Sequence, residues 1–171
     1  MRVHHVIAAF ALMLTACGQQ PSASAADLDA AVSDAERAAV LAAAGAAGNP
    51  AQIENECGEL VAPQLLAANL GDGVGRAVAL VMTGGPNSAT CYGDGPMVTI
   101  YQARDGAWRE IYSHRGGPVI VLPAVHNGAN DLADGGPGFS FPVWEWNGND
   151  YVAANRSVAD SALGDARFIP N

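Results

Sequence analysis

The stretch M-V-T-I-Y-Q-A-R-D-G-A-W-R-E-I-Y-S, Met97 to Ser113, decides the fold class. Two runs rich in β-branched and aromatic residues, Met97 to Ala103 and Ala107 to Ser113, flank Asp105 and Gly106. An Asp-Gly pair between such runs signals a tight hairpin, because a type I′ turn needs positive φ at both central residues. With Asp105 and Gly106 in those places, Ile100 lies opposite Ile111 and Val98 opposite Ser113, an aliphatic face that turns inward. The other face carries Tyr101, Trp108 and Tyr112 with Thr99, Ala103 and Glu110, and either meets a helix or stands exposed as a platform.

Upstream, A-V-A-L-V-M (Ala77 to Met82) is an apolar strand, and a G-G-P-N-S loop carries the chain on to Cys91. Gln64 to Ala68 is a short strand ending in the turn Asn69, Leu70, Gly71, Asp72 and Gly73. That turn resembles a shortened form of the D-L-N-G-D-G loop of calcium-binding β-repeat proteins. Asn69 replaces the leading acid and Asp72 is the only carboxylate, whereas calcium takes six to eight oxygens, so it is read as a glycine turn without metal. Further upstream, Ser33 and Glu36 form an S-x-x-E capping box ahead of the alanine-rich run Ala35 to Ala44. Its apolar stripe is thin, Val40 and Leu41, and Gly45, Gly48, Asn49 and Pro50 end it.

Downstream, Val119 to Leu122 is a strand between Pro118 and Pro123, and His126 to Gly138 reads as a long Gly, Asn and Asp-rich loop. The last hairpin is Phe141 to Trp146 with Tyr151 to Ala154, turning through Asn147, Gly148, Asn149 and Asp150. Trp144 and Trp146 share one face, with Tyr151 beside Trp146. From Asn155 the tail has little periodicity. The sum is an α+β domain: an N-terminal Ala-rich helix followed by a mostly antiparallel sheet of five or six strands with hairpins.

The N-terminus reads as an address. Arg2 precedes Val6 to Leu14, an unbroken apolar run too short to span a bilayer as a helix, which takes roughly 20 residues. Leu14, Thr15, Ala16 and Cys17 follow, and this quartet resembles the lipobox of bacterial lipoproteins. The resemblance implies that residues 1–16 are a cleaved signal peptide and that Cys17 is the lipidated first residue. It also implies, since Gly18 and not Asp follows, an outer-membrane anchor with the domain in the periplasm. Several acyl chains hold a protein on a membrane where one does not. Residues 17–26, small and polar, are then a tether, and 27–171 a single domain.

Composition narrows the partners. The chain has eight Lys plus Arg, seventeen acidic residues and a formal charge of −9. That balance argues against nucleic acid and against electrostatic adhesion to anionic lipid, so membrane attachment falls to the acyl chains on Cys17. Of the three cysteines, the lipobox takes one. Cys57 and Cys91 remain as an even pair in an oxidising compartment, and a disulfide between them would contribute roughly 3–4 kcal/mol.

Functional groups concentrate in His126 to Trp146. A hydrolase would use Ser140 as nucleophile, His126 as base and Asp131 or Asp134 to orient it, but G-F-S-F-P lacks the second glycine of a nucleophile elbow. His114, His126, Asp131 and Asp134 are metal-ligand types without a recognised spacing, so neither metal nor cofactor is expected. Trp108, Tyr112, Trp144, Trp146 and Tyr151 offer apolar area with donors, suited to a sugar ring or protein partner, or else they are ordinary core. The preferred expectation is a non-catalytic binding or structural lipoprotein for an envelope protein or glycan. The alternatives are a periplasmic hydrolase and an inhibitor that plugs a hydrolase cleft with the loop around Cys91.

Overall fold

The computed structural model describes residues 31–46, 48 and 50–170. The expected signal peptide, lipidated Cys17 and tether lie outside them. Among the described residues, one α-helix, α1 (Asp34–Ala43), precedes eleven strands, and every pairing between them is antiparallel. The strands are β1 (Ile53–Glu54), β2 (Leu60–Val61), β3 (Gln64–Ala67), β4 (Ala77–Met82), β5 (Met97–Arg104), β6 (Ala107–Arg115), β7 (Val119–His126), β8 (Ala129–Asp134), β9 (Ser140–Trp146), β10 (Tyr151–Ala159) and β11 (Arg167–Ile169). They form a β1-β2 ribbon, a four-stranded sheet β3-β4-β5-β6 and a five-stranded sheet β10-β9-β8-β7-β11. This corrects the expected α+β fold with one sheet: the described residues are mostly β, with the two larger sheets face to face and the short helix α1 against one of them.

Three apolar clusters explain the layering. Ala79, Val81, Val98 and Ile100 of one sheet meet Val121, Leu132, Trp146 and Tyr151 of the other in the central core. Val78, Leu80 and Met82 point the opposite way and are covered by Val40 and Leu41 of α1. Ile120, Leu122 and Ala133 are likewise covered by Leu163 and Ala166 of the C-terminal segment. Strands β4 and β7 are therefore buried on both faces where they read as continuous apolar runs, A-V-A-L-V-M and V-I-V-L.

The capping box forms as expected: Ser33 and Glu36 satisfy each other's backbone N–H groups at the start of α1. Glu36 also accepts from Arg76 Nε at 2.7 Å, pinning the helix to the segment that enters β4. The Cys57–Cys91 disulfide is present, with a Cα–Cα distance of 5.9 Å, and joins the β1-β2 ribbon to the loop before β5.

Two hairpins depart from the sequence reading. Asp105 and Gly106 adopt φ of 52° and 77°, the predicted turn, and Arg104 pairs with Ala107. A bulge then intervenes, so Ile100 pairs with Tyr112 rather than Ile111, and Val98 with His114 rather than Ser113. An extra residue in one strand is what a bulge inserts. Its effect is to turn Tyr112 inward beside Ile111, while Tyr101 and Trp108 stay on the outer side under α1.

The expected loop His126 to Gly138 is for the most part a second hairpin. Asn127 and Gly128, at φ of 49° and 78°, are its turn, and β8 follows. Strand β7 passes through Pro123 because a register irregularity there spares the ladder a missing donor. The tail expected from Asn155 is also ordered: β10 runs on to Ala159 past a bulge that places Asn155 at φ 54°.

Candidate functional site

Four neighbouring strands of the five-stranded sheet bring together His126, Asp131, Glu145 and Arg156. Leu132 and both Trp144 and Trp146 face the central core, so alternation sends Asp131 and Glu145 to the outer face. Asp131 has no exposed side-chain area, and its two oxygens are divided between two donors. His126 Nδ1 lies 2.6 Å from Oδ1, and the Arg156 guanidinium donates to Oδ2. Arg156 Nε and Nη2 also reach Glu145 Oε1 at 3.2 and 3.1 Å. Burial opposes charge on Arg156, but the hydrogen bonds to Glu145 and Asp131 outweigh it and raise its pKa. Across the cluster, His126 Nε2 stands 3.6 Å from Glu145 Oε1.

Asp131 therefore orients His126, the base-orienter half of the triad expected from sequence. The nucleophile half is missing: Ser140 pairs with Ala159 at the opposite end of β9 from Glu145. Five residue steps along the strand separate Ser140 from Glu145, about 16 Å at ~3.3 Å per residue. A Ser140–His126–Asp131 relay is not assembled.

Ser140 instead lines a pocket of about 390 Å³ with His114 and Asp134. His114 Nε2 is 2.7 Å from the Gly135 carbonyl oxygen, and its Nδ1 is 3.4 Å from Asp134 Oδ1, so both ring nitrogens face acceptors. Tyr112 donates its hydroxyl to the same carboxylate, and burial first, then Asp134, pushes the tyrosine's pKa well above its ordinary value. The four metal-ligand types noted in sequence thus split into His126 with Asp131 on the outer face and His114 with Asp134 at the far end of the sandwich. His126, Asp131 and Glu145 each offer a ligand atom within 4.8 Å of the others.

The proposed aromatic binding surface is corrected by burial. Tyr112, Trp146 and Tyr151 lie in the central core, where Tyr112 and Tyr151 meet edge to face at 5.9 Å and Trp146 and Tyr151 at 5.3 Å. Trp144 packs against the same core and Trp108 against the α1 side. Their shared task is filling the interior of a domain with few large aliphatics. Exposed aromatic area lies elsewhere, at Phe139, which is 86% exposed, and Phe168.

Phe139 follows the last of three loops, Gly93 to Pro96, Gly116 to Pro118 and Gly135 to Gly138, that stack at one end of the sandwich. They approach backbone to backbone: a Cβ on Gly117 would stand 2.2 Å from the Gly135 carbonyl oxygen. The groove they frame has a volume of about 560 Å³. Pro96, Pro118, Ile120, Phe141, Leu163 and Phe168 line it, and its charged residues are Asp94 and Asp160. Sequence reading missed this groove and Arg156. The repeated Gly-Pro pairs were the available signal for the first, while the β10 bulge hid the second by breaking the strand's alternation.

The chain matches no family model, no curated protein and no solved structure at a significant level. No helix among the described residues is long and apolar enough to cross a membrane.

Proposed function

We propose that the chain is a cell-envelope lipoprotein, anchored at the outer membrane by acyl chains on Cys17, whose periplasmic domain acts by binding an envelope protein at its glycine-proline end. The observation that carries the binding reading is Phe139, 86% exposed beside a preformed groove of proline and aromatic side chains. Large apolar groups concentrated at one place on a surface mark interaction sites. The stacked glycine backbones give that groove its shape without side-chain rearrangement, which lowers the ordering cost of binding. Asp94 and Asp160 at the groove, on a chain of formal charge −9, favour an apolar segment carrying Lys or Arg.

The test is cross-linking in intact cells with the wild type and Phe139→Asp. The expected result is a protein partner recovered with the wild type and lost with the variant, at unchanged thermal stability because Phe139 is not part of the packed core. Equal recovery with both would overturn the groove as the binding surface.

A further inference from the structure

We propose that the outer face of the five-stranded sheet holds a zinc ion, with His126 Nε2 and a carboxylate oxygen of Glu145 as ligands and Asp131 as the positioning residue for the imidazole. The geometry starts from Asp131. A fully buried carboxylate 2.6 Å from His126 Nδ1 fixes the proton on that nitrogen and directs the Nε2 lone pair outward. A carboxylate holding the far nitrogen of a histidine is the usual second layer of a metal site.

Nε2 then faces Glu145 Oε1 at 3.6 Å. Neighbouring ligand atoms around a tetrahedral zinc, each roughly 2.0–2.1 Å from it, stand about 3.4 Å apart, so a single ion fits between them with little movement. Imidazole and carboxylate together suit zinc. His126 and Glu145 are both partly exposed, leaving the remaining coordination positions to water.

Charge points the same way. Asp131 and Glu145 bring two negative charges against the one positive charge of Arg156, so with a neutral imidazole the cluster retains one negative charge. Arg156 is then a competitor as well as a neighbour: its guanidinium occupies Glu145 Oε1 at 3.1 Å and must turn aside when the ion enters. Its side chain is 42% exposed, so it can release Glu145 while keeping its bond to Asp131. This distinguishes a metal site from a closed salt-bridge cluster, in which removing Arg156 could only weaken the structure.

Calorimetric titration of the purified, metal-free chain with zinc chloride tests the assignment, alongside thermal melts with and without zinc. Wild type is expected to bind zinc and to melt higher in its presence. His126→Ala and Glu145→Gln should each weaken binding by at least about tenfold, and Asp131→Asn by roughly 10–100-fold. Arg156→Gln should bind more tightly than wild type and recover on zinc addition the stability lost with the guanidinium. Absence of zinc binding by the wild type overturns the proposal, as does binding that survives unchanged in both His126→Ala and Glu145→Gln. The groove reading stands apart from this one: Phe139→Asp should leave the zinc titration unaltered.

Discussion

Glu36 carries two tasks on one carboxylate, closing the capping box of α1 and receiving Arg76 at 2.7 Å. The hydrogen bond from Arg76 leads, with Ser33 assisting against the cost of burial, and lowers its pKa from 4.5 to about 2. A depressed carboxyl stabilises the fold above its unfolded pKa and loses that contribution as pH falls through its folded one. Stability should therefore drop between about pH 4.5 and 2 through this pair. Glu36 keeps 25% of its side chain exposed, and solvent screening holds the contribution to about 1 kcal/mol. Urea unfolding across that range should show the loss in the wild type and a flatter profile in Glu36→Gln. An identical slope in both would remove the pair as its source.

At the scale of elements, the loops that stack at the glycine-proline end leave no room for a side chain at Gly95, Gly117 or Gly135. A Cβ on Gly117 would lie 2.2 Å from the Gly135 carbonyl oxygen, so Gly117→Ala must push β7 and the loop after β8 apart. Overpacking of this kind costs about 1–3 kcal/mol. The variant should melt lower than wild type and bind the groove's partner more weakly; an unchanged melt would mean that the loops yield freely. What the sequence made legible among the elements follows from how local each signal is. The capping box, the Asp105-Gly106 turn, the four-residue turn at 147–150 and strand β4 depend on neighbours in the chain, and all are present. The bulge at Ile111 depends on where Tyr112 finds space in the central core, and nothing in E-I-Y-S encodes that. The Asn127-Gly128 turn was legible and was obscured by the acidic and amide residues around it, which read as loop although Asp131 is fully buried in a strand. The site divides in the same manner. His126 and Asp131 are five apart, within reach across one hairpin, while Glu145 and Arg156 join them through pairings with β9 and β10 that only the sheet order defines.

At the scale of the whole molecule, each of the three apolar clusters among the described residues has a cover supplied by the chain itself. The sheets cover each other, α1 covers the outer side of β4, and the segment before β11 covers the outer side of β7. A domain assembled in this way has no need of a bilayer to bury its core, and a formal charge of −9 sets it against anionic headgroups. Retention at the membrane then rests on the acyl chains proposed for Cys17, because covalent lipid supplies roughly 0.8 kcal/mol for each buried CH₂ whatever the charge of the protein it carries. Cys17→Ser should accordingly move the chain from the membrane fraction to the soluble fraction of the cells. Its melting temperature should match that of the detergent-solubilised wild type, because the Cys57–Cys91 bridge does not involve position 17. Mass spectrometry of the wild type should find an acylated N-terminal cysteine and no peptide beginning at Met1. A serine variant that stays with the membrane would transfer the anchoring role to a protein contact, and the groove beside Phe139 would be the first surface to alter in the same fractionation.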